Sequence, residues 1–256
     1  MSQYSLAEKR KQFDAQFPVG LVVPASRLLS IEGCFPLERI ESNIIVLTGA
    51  NSCGKSSLLK ILQKDNYECI PEFLRDIYDD SENFFGIHKI GKQCSDLVVR
   101  KALADHLEYL SKVDPDQNQL IFSDRGLGDF LGFFRFIQTL TSPVFRFKLS
   151  QKLIKDEDIR EVFRQDVPLT EVSQLCSQQI QLALQFGSKI RYKKVLQLNP
   201  LPKYEKDGRR PDDKFVARLM HLYVRKAWKD LGYQIESIPA CLDDLEGRKQ
   251  LVLESS

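Results

Sequence analysis

Residues Ile44–Ser57 read I-I-V-L-T-G-A-N-S-C-G-K-S-S. The apolar run Ile44–Thr48 predicts a strand. Gly49 follows, four residues intervene, and Gly54-Lys55-Ser56 opens a helix predicted to run from Lys55 to about Gln63. The spacing is G-x-x-x-x-G-K-[ST], matched at every required position and in the strand–loop–helix setting that the motif demands. Its physical content is an anion site. Two glycines let the backbone curl so that successive N–H groups face phosphate oxygens. Lys55 reaches the β- and γ-phosphates, the Ser56 hydroxyl ligates Mg²⁺, and the helix amino terminus adds a favourable dipole.

Downstream, short apolar runs alternate with helical periodicity. Strands are predicted at Asn66–Ile70, Gln119–Ser123, Lys194–Leu198 and Gln234–Ile238. Helices are predicted at Asp96–Leu110, where Leu103, Leu107 and Leu110 share a face, at Asp129–Leu140, from Thr170 to about Phe186 with Gly187 as its stop, from about Asp213 to Leu231, and over Cys241–Leu253. This alternation predicts an α/β fold with a parallel sheet and helices on both faces. Right-handed crossovers then bring the carboxyl ends of all five strands to one edge, where such sheets bind ligands.

Two carboxylates fall at that edge. Pro71 stops the second strand, so Glu72 emerges there. Asp124 closes the third strand and takes the place of the acid that faces Mg²⁺. Glu72 is read either as a general base toward an acceptor hydroxyl or as an ion-pair partner of Arg75. Beyond the fourth strand a basic Gly/Pro-rich loop, about 199–212, carries Arg209 and Arg210. They are read as lid arginines that close on the phosphates, a contribution of about 10³–10⁵ in rate in related NTPases. The alternative is a surface pairing with Asp207 or Asp212. The phenylalanines of F-L-G-F-F-R-F-I and Trp228 are read as core, and His88, His106 and His221 receive no role.

Composition excludes several classes. The 256 residues carry 37 Lys and Arg against 35 Asp and Glu, a net charge of +2, so there is no strong nucleic-acid signal. The six cysteines, at 34, 53, 69, 94, 176 and 241, form no C-x-x-C and no zinc spacing. A disulfide at Cys53 would obstruct the phosphate loop, so a reduced cytoplasmic protein is expected. The amino terminus has no signal-peptide core, and no apolar run reaches the length of a transmembrane segment. Residues 1–42, including a short helix predicted at Ser5–Phe17, are expected to form an arm packed on a nucleotide-binding domain spanning 43–256, with a helical insertion around 141–190. The arm and the charged stretch Lys148–Gln165 are the candidate contacts for a protein partner.

Five ordered segments carry a family resemblance: the phosphate loop, P-E-F-L-R after strand two, D-R-G after strand three, P-x-Y-x-x-D-G-R-R after strand four, and the closing L-G-Y-x-I-x-x-I-P. Together they resemble the AAA-type, nicotinamide riboside kinase-like P-loop ATPase domain over roughly Asn43–Val252. The resemblance implies a three-layer P-loop NTPase with kinase-like sheet order 2-3-1-4-5. It implies that Gly49, Ala50, Asn51, Ser52, Cys53, Gly54, Lys55, Ser56 and Ser57 hold ATP phosphates and that Ser56 and Asp124 face Mg²⁺. Arg125 becomes a phosphate- or acceptor-side cation, and Glu72 and Arg75 lie where such kinases handle the acceptor. The loop interior, Ala50-Asn51-Ser52-Cys53, is bulkier than is common in that group. The expected function is ATP- and Mg²⁺-dependent phosphotransfer to a nucleoside-, nucleotide- or vitamin-like acceptor. The alternative is a nucleotide-switched NTPase that controls a partner, with NTP-driven mechanical work ranked third. GTP stays possible, although no N-K-x-D segment for guanine is present.

Overall fold

A computed structural model of the chain describes residues 40–49, 53–73, 95–114, 118–141, 169–199, 214–239 and 245–256. The predicted Ser5–Phe17 helix, Lys148–Gln165, His88, Arg75, Ala50, Asn51, Ser52, Arg209 and Arg210 lie outside these residues. In chain order the strands are β1 (Ile40–Glu41), β2 (Ile44–Thr48), β3 (Glu68–Ile70), β4 (Ile121–Asp124), β5 (Ile190–Arg191), β6 (Lys194–Leu198) and β7 (Ile235–Ile238). The helices are α1 (Lys55–Lys64), α2 (Ser95–Leu110), α3 (Leu127–Thr141), α4 (Leu169–Lys189), α5 (Lys214–Asp230) and α6 (Leu245–Glu254).

The main sheet is parallel with order β3-β4-β2-β6-β7. Counted among its own five strands, this is the second-third-first-fourth-fifth order expected from the resemblance. Two further strands were not foreseen, because each has only two residues. β1 pairs with β5 in parallel, Ile40 opposite Ile190, just ahead of the β2–β6 pairing. The register slips by one residue between the two pairs, and Ser42 bridges the gap by donating both its N–H and its Oγ–H to the Arg191 carbonyl.

β2 is buried throughout, and alternate residues serve opposite layers. Ile44 and Val46 join a core built with α2, α3, α4 and α5, in which Leu103, Leu107, Phe130, Phe134, Phe186 and Trp228 are buried. Ile45 and Leu47 join a second core with Leu58 and Leu62 of α1 and Val252 of α6. Period-two alternation with both faces covered is the mark of a central parallel strand. Each fully buried Leu, Ile or Phe contributes about 1.5–3 kcal/mol. His106 sits inside the first core, where burial pushes its pKa down to about 3 and leaves the imidazole neutral beside the Tyr192 hydroxyl, 3.3 Å away.

Three boundaries differ from expectation for local reasons. The second strand begins at Glu68 rather than Asn66, because Asn66 (φ 65°) and Tyr67 cap α1. The N–H of Tyr67 returns to the Leu62 carbonyl and that of Asn66 to the Gln63 carbonyl, a Schellman closure. Asp124 lies inside β4, paired with Leu47, rather than after it. Gly187 does not stop α4, which runs on to Lys189. That glycine instead makes room for a neighbour: a Cβ there would lie 2.9 Å from Leu231 Cδ2.

A similar close approach seats α3 on α5. A Cβ at Gly128 would fall 2.2 Å from Trp228 Cδ2, and one at Gly132 would fall 2.6 Å from Val224 Cα. In an exposed helix Gly→Ala stabilises by roughly 0.8–1 kcal/mol. Here overpacking reverses the sign. Gly128→Ala and Gly132→Ala are each predicted to destabilise by about 1–3 kcal/mol in denaturant unfolding. A midpoint at or above that of the parent would refute the packing argument.

Candidate functional site

The phosphate loop leaves β2 through Gly49, whose φ of 141° and whose approach to the Leu198 carbonyl, 2.6 Å from a built Cβ, exclude a side chain. It enters α1 through Gly54 at φ 87°. This N-cap offers no side-chain acceptor to the helix, and the first turn holds no acidic residue. The amino-terminal N–H groups of α1 therefore have no acidic side chain within their own turn, the arrangement that suits an anion. Lys55 is buried, and its Nζ reaches the Gly49 carbonyl at 3.3 Å and Cys53 Sγ at 3.5 Å. Ser57 is exposed one residue beyond Ser56.

Ser56 and Asp124 meet across the edge. Ser56 Oγ donates to Asp124 Oδ2 at 2.9 Å. Asp124 Oδ1 is buried and, among the described residues, has no hydrogen-bond partner. Burial, then the neighbouring Glu72, pushes the Asp124 carboxyl up to about 6, against the opposing pull of Lys55, Arg125 and the Ser56 hydroxyl. An orphaned carboxylate oxygen beside a serine hydroxyl fits a hard cation. Mg²⁺ is held by one or two protein oxygens and completes its shell with phosphate and water. Among the described residues no three His, Cys, Asp or Glu side chains converge, so a cage built wholly of protein ligands is not formed.

Behind Asp124 lies a buried ionic network. Arg125 occupies the left-handed region at φ 78°, held by its N–H to the Leu47 carbonyl and by the Ser123 hydroxyl donating to its own carbonyl. Its guanidinium donates through Nε to Glu72 Oε1 at 2.7 Å, reaches Asp129 Oδ1 at 3.4 Å and lies 4.9 Å above the Phe133 ring. Burial alone would lower its pKa, but Glu72, Asp129 and Asp124 outweigh that and hold it raised, so it is always charged. The described partner of Glu72 is thus Arg125, 53 residues away. Arg75, the local partner considered from sequence, lies outside the described residues.

Four contributors had no assigned role in the sequence reading. Asp129 is fully buried and accepts from Thr48 Oγ1 (2.8 Å), the Gly126 N–H (3.1 Å) and Trp228 Nε1 (3.1 Å) in addition to Arg125. Its bond to Gly126 is the N3-to-N-cap half of a capping box, and the D-R-G-x-x-D spacing carried that signal. Gln197, at the end of β6, touches the His221 imidazole at 2.7 Å. Burial, with Arg225 and Lys55, lowers the His221 pKa. Arg248 of α6 reaches the phosphate loop itself, and nothing local in the sequence announces it.

Residues 44–248 match a family described as the AAA domain. The chain belongs to that family. Solved structures similar to this AAA domain include deoxyadenosine kinase from M. mycoides with bound dATP, at 14% identity over 83% of this chain and 98% of that one, with a TM-score of 0.50. Others are the NadR protein in complex with NR (15%, 84% and 50%, TM-score 0.49) and thymidylate kinase from Candida albicans (14%, 84% and 90%, TM-score 0.45). At such identities the likeness is one of fold. No curated protein matches the chain. Among the described residues no helix is long and apolar enough to cross a membrane.

The raised carboxyl of Asp124 gives a pH signature. Between about pH 4 and 6 the folded AAA domain holds this proton and the unfolded chain does not, so this group's stabilisation is present below that window and is lost as pH rises through it. Asp124→Asn removes the titration. The stability of the variant relative to the parent is predicted to increase from pH 4 to 6 and to level off above, read by urea unfolding across that range. A difference that does not change with pH would show that Asp124 is ionised throughout.

Proposed function

We propose that this AAA domain binds ATP with Mg²⁺ and transfers the γ-phosphoryl group to a small hydroxyl-bearing acceptor of nucleoside, nucleotide or vitamin type. The observation that carries the reading is the juxtaposition at one sheet edge of Lys55, the Ser56–Asp124 pair with its orphaned oxygen, and the Glu72–Arg125 ion pair. The first two suit a metal-bound triphosphate. The third, a carboxylate paired with a cation at the same edge, supports transfer to an acceptor over simple nucleotide binding.

In this reading the loop amides and Lys55 neutralise the β- and γ-phosphate oxygens. Ser56 and Asp124 hold Mg²⁺, which supplies charge neutralisation when bound. Phosphoryl transfer depends chiefly on such positioning and electrostatics. Glu72, held by Arg125, takes the proton of the acceptor hydroxyl as its oxygen bonds to phosphorus and the β–γ bridging bond breaks. Arg209 and Arg210 are the proposed lid cations. GTP in place of ATP is an outcome the same assay detects.

The test is mass-spectrometric screening of nucleosides, nucleotides and vitamin-like alcohols with Mg²⁺-ATP. A phosphorylated product is expected from at least one class, and Lys55→Met should lower turnover by about 10²-fold or more, as removal of a donor to developing charge does. ATP bound normally and hydrolysed at the same rate with or without every acceptor would overturn transfer and leave a nucleotide-hydrolysing switch.

A further inference from the structure

Arg248 lies 195 residues from the phosphate loop, yet its side chain is 1% exposed and its guanidinium donates to three backbone carbonyls. Nη1 donates to Cys53 O, in the loop after β2. Nη2 donates to Asn199 O, after β6, at 2.6 Å, and Nε donates to Pro239 O, after β7, at 3.3 Å. One planar fork thus ties together three segments that leave neighbouring strands at the same edge. Asn199 and β7 are tied again by the Asn199 N–H to the Ile238 carbonyl at 3.0 Å. The helix carrying Arg248 is itself fixed, since Val252 packs in the core with Leu58 and Leu62 and Lys249 pairs with Asp65 at 2.8 Å.

The bond to Cys53 has a direction. A carbonyl and the N–H of the next residue belong to one planar trans peptide and point in opposite directions. A donor that holds the Cys53 carbonyl from the α6 side therefore turns the Gly54 N–H the other way. That N–H precedes Lys55 and belongs to the amide ring that an anion would meet. Gly54, at φ 87°, has no Cβ to restrict this peptide, so an outside group has to set its orientation. Arginine suits the task, because its rigid fork serves several acceptors at once where lysine offers a point charge.

We infer that Arg248 is a positioning residue of the phosphate site: it presets the Cys53–Gly54 peptide so that the Gly54 amide faces the anion before any nucleotide arrives. The inference rests on the reading that this loop binds phosphates. It extends the site to the carboxyl-terminal helix, and it concerns the triphosphate alone, not the base or the acceptor.

The experiment compares the full chain with Arg248→Met and Arg248→Lys. Calorimetry measures binding of magnesium tripolyphosphate and Mg²⁺-ATP, thermal unfolding measures the unliganded proteins, and the Gly54 amide resonance is followed by NMR as tripolyphosphate is added. In Arg248→Met the affinity for both anions is expected to fall by the same factor, about 10–100-fold, the range seen when a group orienting a ligand contact is removed. The Gly54 resonance should lose its response to the anion in that folded variant. Arg248→Lys, which keeps the charge without the fork, should bind more weakly than the parent, and it decides the matter if Arg248→Met does not fold. A lower melting temperature with unchanged affinity and an unchanged Gly54 response would overturn the inference and leave the phosphate loop standing. No binding of either anion by the parent chain would remove the nucleotide reading, and this inference with it.

Discussion

The carboxylate of Asp129 is the interaction on which the rest of the edge depends. It lies in the first turn of α3 with no exposure and gathers donors from the end of β2, from the β4–α3 turn, from Arg125 and from Trp228 of α5. Burial raises its pKa, and Arg125, the Thr48 hydroxyl, Lys55 and the Gly126 amide oppose that rise. A charge so placed is strongly unfavourable without partners. The partners here all belong to elements that must meet for the site to exist. Thr48 is the last residue before the phosphate loop, and Arg125 follows the acid facing the proposed metal. The network that satisfies Asp129 therefore also aligns two loops.

What could be read from the chain alone follows the range of the interactions. The strand and helix that flank the G-x-x-x-x-G-K-S motif, the strand at Lys194–Leu198 and the place of Asp124 at the sheet edge rest on patterns a few residues long, and each is legible. So was the sheet order, because the ordered set of five segments resembles a family whose topology is known. Asp129 was missed although half of its role, the cap on Gly126, is local. Its bonds to Thr48 and Trp228 span 81 and 99 residues, and no periodicity encodes them. Arg248 was invisible for the same reason. On α6 it reads as one more basic residue, until folding lays it beneath the loop. For Glu72 the sequence leaves a general base and a pair with Arg75 both open, and the described ion pair to Arg125 spans 53 residues, a range at which no local pattern announces it.

The glycines of α3 show how composition serves the site indirectly. Gly128 and Gly132 look unfavourable in a helix, yet they let α5 approach until the indole of Trp228 rests against the backbone. That approach brings Nε1 within reach of Asp129. The helical cost of the glycines is offset by a contact that no larger residue would permit.

Trp228 is the single tryptophan of the chain. Its indole is hydrogen-bonded to the Asp129 carboxylate and lies edge-on to Tyr192 and Tyr233. When the indole is excited selectively, at wavelengths where the eight tyrosines do not absorb, the emission comes from one side chain, two hydrogen bonds of the network away from Thr48, with no second indole to dilute it. The molecule carries a built-in optical gauge of this sheet edge, readable without a label.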